Sequence, residues 1–499
     1  MSSTRDTITE GGLARPLFTL AWPIVVTELL QVAYNIADTL WLGQLSAAAV
    51  AAMSIAFPLI FLFLSIGGGF TVAGSILVAQ YTGADSGESA GKIAGQTLSF
   101  ITFLAVALAV VGYLSTGPAL SLLPTDPETA VEVIPLAEEY MRVFFLGTPF
   151  MFGFFVFSAL LRGHGDTRTP MRVMFLSVAL NIALDPIFIF GFRANPLFGA
   201  LGLGGLEAAL FGATGFAGMG VAGAALATLL SRLVAMIVGF YLILRTDVGP
   251  TVRPTDLWPD LSAIAKIVRI GVPSALEQST SALAMITLTA MVATFPTATV
   301  AAYGLGNRLV SLVFLPAMGL GRATDTMVGQ NLGAEKPGRA ERAVHLAAGA
   351  GAGIMLVVAL VALLFAEPIV AVFIGERTAE ALRTIALGAE YLRIRTVEFA
   401  FIGVLQVLLG AYRGAGNTRT ALAFSMVALW IGRVPTVYGL AFVADMGATG
   451  IWIGMALGNV VGAIAAGLWF LRGTWKQSVV DVRSTPTPRV EATDPDGED

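Results

Sequence analysis

Four polar residues, Gln31, Tyr34, Asn35 and Asp38, recur at spacings of three and four in an otherwise apolar stretch, so a helix there puts all four on one face. A second stretch holds Asn181 and Asp185 one helical turn apart, with Pro186 directly after. Proline has no N–H to donate, which loosens the helix beside that carboxylate. A third stretch holds Thr228 and Arg232 at the same four-residue spacing. Two carboxylates, an amide and a hydroxyl form a hard-oxygen set that suits Na⁺, and two close carboxylates can equally share a proton because both do not ionise easily together. Reversible cation binding is the chemistry implied. From these residues alone a second reading stays open, in which Asp38 and Asp185 only hold Arg232 or cap a broken helix.

Other charged residues in apolar surroundings are less clear. Glu277 follows Pro273 and can be functional or structural. Arg322 and Asp325, three apart, are expected to neutralise each other as scaffold, while Glu28, Arg308, Glu398 and Arg433 have no partner that spacing identifies. The run Gly67-Gly68-Gly69 lacks the Lys-Ser/Thr of a phosphate loop, so close helix packing through small residues is the better reading. Tyr34, Met53, Phe57, Phe61, Met151, Phe152, Phe154 and Phe155 can line an adaptable apolar pocket or simply pack. His164 sits among arginines and is expected to be solvated.

The elements that must hold these residues are membrane helices. Of 499 residues, 56% are hydrophobic and only 12% charged, about half the ~25% charged content of a soluble protein, and the mean hydropathy is +0.80. A single water-soluble core cannot absorb that much apolar surface, which argues against a soluble enzyme. The net charge of -4 leaves no basic excess for nucleic acid. With no cysteine and two histidines, thiol chemistry is excluded and a metal cage has little to build on. Twelve stretches reach the ~20 apolar residues a span requires: 17–41, 50–79, 93–115, 136–161, 170–191, 218–243, 264–293, 299–330, 343–373, 387–411, 421–443 and 448–471. They are too long for barrel strands, so the fold class expected is an all-α polytopic membrane protein. A charge at the centre of such a helix costs roughly 2.5–3.5 kcal/mol, hence the weight given to Asp38 and Asp185.

Nineteen Lys and Arg fall on the termini and on the loops after helices 2, 4, 6, 8 and 10, against Arg193, Arg377 and Arg383 on the other side. The positive-inside rule then places both termini in the cytoplasm. The chain also repeats at an offset of 250 to 251. Val50-Ala51-Ala52 returns as Val300-Ala301-Ala302, and Gln80 with Gly83-Ala84 as Gln330 with Gly333-Ala334. Arg162-Gly163-His164-Gly165-Asp166-Thr167-Arg168-Thr169 returns as Arg413-Gly414-Ala415-Gly416-Asn417-Thr418-Arg419-Thr420. Six intervening helices make the repeat parallel, so two six-helix lobes in pseudo-symmetry around a central cleft are expected. Near residue 218 the offset drops to 227, which marks an insert at about 192–216, read as an extracellular loop or re-entrant hairpin. The organisation expected is an N-terminal segment 1–16, an N-lobe 17–244, a linker 245–263, a C-lobe 264–472 and an acidic disordered tail 473–499. Residues 481–499 alone hold six acids and two arginines, which accounts for the whole net charge.

Several of these motifs together resemble the multidrug and toxic compound extrusion (MATE) family of prokaryotic type. They are Pro23 with Asp38-Thr39-Leu40-Trp41-Leu42-Gly43, Gln80 with Gly83, the doubled Arg-Gly-x-Gly-x-Thr-Arg-Thr, Asn181-Ile182-Ala183-Leu184-Asp185-Pro186 and Gly220-Val221-Ala222-Gly223-Ala224-Ala225. The resemblance spans about residues 15 to 475. It implies an antiporter of the plasma membrane that exports drugs or toxic organic compounds by alternating access while Na⁺ or H⁺ enters. It also implies that Asp38, Asn181, Asp185 and Thr228 form the cation site, with Gln31 and Tyr34 as neighbouring pocket residues; Asn35 and Glu277 complete the substrate pocket expected. Glu277 matches a position near which other members place an acid in the second lobe. No cofactor beyond the coupling ion is expected; the partners expected are small, often cationic organic substrates and membrane lipids, without nucleic acid, for a monomer. The alternative function is a lipid-linked oligosaccharide flippase of related architecture, whose cavity would need clustered cations.

Overall fold

The computed structural model describes residues 4–122, 127–374 and 378–480, and these are helical with no strand. The long helices are α1 (Ala14–Leu45), α2 (Ala47–Gly83), α3 (Gly87–Ser121), α4 (Thr129–Leu146 and Thr148–His164, bent by 52°), α5 (Arg168–Phe190) and α6 (Gly220–Arg245). The second half repeats them as α7 (Leu261–Val292), α8 (Thr297–Gly333), α9 (Pro337–Leu364), α10 (Ala379–Gly414), α11 (Thr418–Val443) and α12 (Gly447–Phe470). Among the described residues ten are long and apolar enough to cross a membrane, and the bent pair makes eleven. The remaining helix, α7, has 32 residues. It is more polar because Glu277-Gln278-Ser279-Thr280-Ser281 sits in its middle, and several of those residues have partners inside the protein.

Four apolar cores show how the halves meet. At the end away from the Arg-Gly-x-Gly turns, one core draws only on α1 to α6, including Leu42, Phe145 and Val221. Another draws only on α7 to α12, including Leu288, Phe399 and Trp452. At the end that carries those turns, here the basic end, the cores are mixed. Ile267, Ile270 and Ala275 of α7 pack with α2 to α6, and Leu17, Leu20 and Ala21 of α1 pack with α8 to α12. The halves are thus interlocked at the basic end, each lending half a helix to the other, and have separate cores at the far end.

Small residues permit this interlock. A Cβ on Gly69 would lie 2.1 Å from the backbone N of Ala275, so the triple glycine is the close crossing of α2 and α7, as the packing reading expects. At the tips of α2 and α8 the contact is reciprocal. A Cβ on Gly83 would lie 1.9 Å from the Gln330 carbonyl oxygen, and one on Gly333 the same distance from that of Gln80. Gln80 donates to Gly414 O at 2.9 Å and Gln330 to Gly163 O at 2.9 Å. The sequence repeat is therefore also a repeat of contacts, with each glutamine clasping the glycine turn of the opposite half.

The chain ends reinforce that face. Thr4–Thr9 is a short helix that precedes α1 but docks on the second half, where Arg339 donates to Ile8 O, Glu10 O and Gly11 O. Residues 473–480 lead back to the first half: Trp475 stacks on Phe470, Val479 N donates to Gln80 Oε1 at 2.9 Å, and Val480 is buried in the first-half core. The disorder expected from residue 473 does not hold for these eight residues; 481–499 lie outside the described residues. The linker between halves is held by Gln96, which donates to Asp256 O and Trp258 O, and by Lys92–Asp260 at 2.6 Å. The hydrogen bond from Lys92 holds the Asp260 carboxyl well below the usual carboxylate range. That contribution is therefore present at neutral pH and is lost only as pH falls through the lowered value. The insert at 192–216 forms two short helices, Pro196–Ala200 and Gly204–Thr214, anchored by Asn195, whose amide donates to Pro186 O and Gly191 O.

Because the atoms facing Gly83 and Gly333 are backbone, they cannot swing aside. Gly333→Ala is expected to destabilise the protein by about 1–3 kcal/mol, read as a lower thermal midpoint of the purified protein. Gly338→Ala on α9, with nothing within 4 Å, should be neutral or slightly stabilising in the same measurement.

Candidate functional site

The polar face of α1 turns inward against α5 and α6. Asp38, Asn181, Asp185 and Thr228 are buried, as are Tyr34 and Arg232, while Gln31 and Asn35 are half-buried. Asn181 donates to Asp185 Oδ1 at 3.1 Å, and Tyr34 and Thr228 share a hydrogen bond of 2.6 Å. Asp38 interacts with Asp185, Tyr34 and Asn181. The structure thus brings Asp38, Asn181, Asp185, Thr228, Tyr34, Gln31 and Asn35 to one place, from three helices that spacing alone could not relate.

What distinguishes this cluster is its unpaired acceptors. Both oxygens of Asp38, Oδ2 of Asp185 and Oδ1 of Asn181 are buried and have no hydrogen-bond donor among the described residues. A buried polar atom without a partner costs about 1–3 kcal/mol, more when charged. Arg232 does not relieve them by an ion pair. Its Nη2 donates to Gln31 Oε1 at 2.7 Å, its Nη1 to Met174 Sδ at 3.0 Å, and its guanidinium lies 5.4 Å from the Tyr34 ring centre and 5.2 Å from that of Phe154. Gln31 in turn donates to Asn35 Oδ1 at 3.4 Å. The reading in which the acids merely hold Arg232 therefore finds no ion pair within 4 Å. Four oxygens facing inward from two carboxylates and an amide, with hydroxyls beside them, are a donor set that fits a small hard cation or a shared proton.

Glu277 is not part of this cluster. It accepts from Arg413 Nη1 at 2.9 Å and from Ser425 Oγ at 3.1 Å, and Arg413 Nε also reaches Asp325 at 3.5 Å. Arg413 turns inward because buried carboxylates on α7 and α8 require a cation. One expectation is corrected here. Arg322 and Asp325 do not pair: Arg322 reaches across to Glu28 of α1 at 3.1 Å, which leaves Asp325 to Arg413. A second group that spacing left unassigned lies in the other half. Glu398 accepts from Arg395 and from Asn459 Nδ2 at 2.6 Å, with Arg433 at 3.7 Å, and Arg395 donates to Tyr391 OH at 2.7 Å. The three-residue step from Arg395 to Glu398 was the available signal for it.

With this geometry in view, a family model described as MatE matches residues 23–187 and 273–438, most of both halves. The chain belongs to the MATE family of transporters. Its relatives include the probable multidrug resistance protein YpnP of Bacillus subtilis, 30% identical over 469 residues, which cover 94% of this chain and 97% of that one. A FAD transporter of Shewanella oneidensis is 29% identical over 68% of this chain and 70% of its own. Among solved structures, the outward-facing conformation of a multidrug resistance MATE transporter of the MOP superfamily superposes with a TM-score of 0.81, at 26% identity, over 96% of this chain and all of the other. The MATE chain is accordingly a multi-pass membrane transporter and not an enzyme.

The buried Glu398 carboxylate anchors the C-terminal half of this MATE transporter. Glu398→Gln should leave Arg395 and Arg433 without a counter-charge and cost about 3–5 kcal/mol. The expected readout is a large drop in thermal midpoint, or loss of the monodisperse peak on size exclusion.

Proposed function

We propose that this transporter exports small organic compounds in exchange for Na⁺ or H⁺, with Asp38, Asn181, Asp185 and Thr228 receiving the ion. The observation that carries this reading is the set of four buried oxygens without donors. A fixed guanidinium or ammonium would have satisfied them permanently, as arginines satisfy Glu277 and Glu398. A mobile cation satisfies them reversibly, which is what coupling requires. The far end is outward-facing in this reading, both termini are cytoplasmic, and the membrane is the plasma membrane.

Exchange follows if the ion has different affinity for two arrangements of the lobes. Lobes 17–244 and 264–472 have separate cores at the far end and shared cores at the basic end, an arrangement consistent with an ion reaching the N-lobe from the far side. Ion binding removes the repulsion between Asp38 of α1 and Asp185 of α5 and draws those helices together. The movement is handed along Arg232, Gln31 and Asn35, which are joined by hydrogen bonds, to the face of α1 where substrate would lie. Glu277, held by Arg413, is a structural residue in this scheme. The family and the names of the relatives support an exporter of organic molecules. The buried arginines of α6 and α10 are engaged within their own halves and are not gathered as a pyrophosphate cradle, which weighs against the flippase alternative.

Vesicles loaded with a fluorescent organic cation test the proposal under a Na⁺ gradient and, separately, a H⁺ gradient. The gradient that drives flux names the ion. Asp38→Asn should reduce driven flux to the level of empty vesicles while the purified variant still folds and elutes as the wild type; full flux in that variant would overturn the assignment.

A further inference from the structure

Outside the cation cluster, the most distinctive feature of the molecule is a cavity of about 500 Å³ at the basic end, between the start of α7 and the start of α11. Its wall includes Lys266, Arg269 and Arg419 together with Gly416, Asn417 and Val479, and among the described residues no acidic side chain lines it. Lys266 and Arg269 are three residues apart on α7, so they share a face. Thr418 Oγ1 donates to Ile270 O at 2.9 Å, which ties the first turn of α11 to α7 and fixes Arg419 opposite that face. None of the three cations forms an ion pair within 4 Å among the described residues, whereas the nearby Asp260 is taken by Lys92.

The internal repeat shows what is missing. In the first half the matching turn carries Asp166, whose Oδ1 accepts from Arg168 N at 2.8 Å and Thr169 N at 3.0 Å, and whose Oδ2 accepts from Thr169 Oγ1. The first half thus supplies its own anion to the start of α5. In the second half the same position is the neutral Asn417, whose side chain caps nothing. At the offset that aligns Pro23 with Pro273, Lys266 and Arg269 replace Pro16 and Thr19. One half has an internal carboxylate and no basic pair; the other has a basic pair, a cavity and no carboxylate.

We propose that this cavity is a phosphate-binding site, which takes the phosphate of an anionic ligand between Lys266, Arg269 and Arg419. Three cations with unused donors around a concave space favour a multiply accepting anion, and the adjacent helix start adds a favourable field. A basic pocket between helices at the positively flanked face of a membrane protein is where an anionic headgroup arrives from the bilayer; a free phosphate from solution presents the same chemistry. The site is also placed to matter. Val479 forms part of its wall and donates its backbone N–H to Gln80, so an occupant stabilises the clasp between the halves. The proposal does not rest on the identity of the coupling ion or on Asp38.

The test uses the full-length transporter in a neutral detergent at fixed ionic strength, with thermal unfolding followed after addition of phosphatidylglycerol, phosphatidylcholine or inorganic phosphate. The same titrations are run on a Lys266→Gln/Arg269→Gln variant, on Arg419→Gln, and on Arg245→Gln as a basic-face control outside the cavity. The expected result is a rise in midpoint with phosphatidylglycerol that is absent with phosphatidylcholine, retained in Arg245→Gln and at least halved in the two cavity variants. All variants should have wild-type midpoints before lipid is added. A rise with inorganic phosphate alone, lost in the same variants, assigns the site to a free anion. No rise with either phosphate, or an equal rise in the cavity variants, overturns the proposal. So does a rise that appears only in a chain ending at Val480, because the pocket would then belong to carboxylates of the acidic segment beyond it.

Discussion

A carboxylate inside a membrane protein must meet a counter-charge, and the way each one does so organises this molecule. Glu28 meets Arg322, Glu277 and Asp325 meet Arg413, and Glu398 meets Arg395 and Arg433. Apart from Arg395–Glu398, which lies along α10, these pairs join different helices, and Glu28–Arg322, Glu277–Arg413 and Asp325–Arg413 join segments far apart in the sequence. Among the described residues Asp38 and Asp185 are the exception, facing each other and Asn181 with no basic side chain within ion-pair distance. Satisfied charges build the scaffold; the unsatisfied pair is where, on the proposed reading, it leaves room for a mobile cation.

The same constraint explains the uneven union of the halves. At the basic end, glycines let backbones approach within van der Waals contact, and the glutamine amides of α2 and α8 find carbonyls of the opposite half. The Glu28–Arg322 pair adds a charged contact between α1 and α8. At the far end each half closes its own apolar core. Apolar packing within a half does not favour union of the halves, since lipid is as apolar as a leucine side chain. At the basic end these polar contacts add to the apolar cores that α7 and α1 share with the opposite halves. Polar contacts are directional, so on the proposed reading they can break together when helices move, as a gate requires.

Much of this was legible in the sequence. Period and spacing placed Gln31, Tyr34, Asn35 and Asp38 on one face, and the 250-residue repeat gave both the glutamine clasp positions and the glycine turns. The triple glycine could be read as a crossing because nothing around it resembled a phosphate loop. What failed was pairing. Arg322 and Asp325 are neighbours along α8, yet each is claimed by a residue from another helix, Glu28 and Arg413. Side-chain spacing reports only contacts along a helix, while in a bundle the decisive partner for a buried charge comes across it. Trp475 and Val480 were hidden for a different reason: a short polar segment after the last span has the composition of a tail, and only its docking on Gln80 and Phe470 reveals a strap.

The repeat also shows how two similar halves come to do different work. At an offset of 251, Asn181 corresponds to Gly432 and Asp185 to Thr436, and at 227 Thr228 corresponds to Met455 and Arg232 to Asn459. The second half therefore lacks every oxygen donor of the acidic cluster but one hydroxyl. Near those same positions it holds Arg395 and Arg433 around the single carboxylate of Glu398, an excess of positive charge. π-helical turns at Val427–Arg433 and Gly439–Val443 widen α11 there. On the proposed reading, a cation is attracted to the first cluster and repelled from the second, so the coupling role falls to the first half. In that scheme, duplication supplied the symmetric frame for two arrangements of the lobes, and substitution at a few buried positions restricted the ion to one side of it.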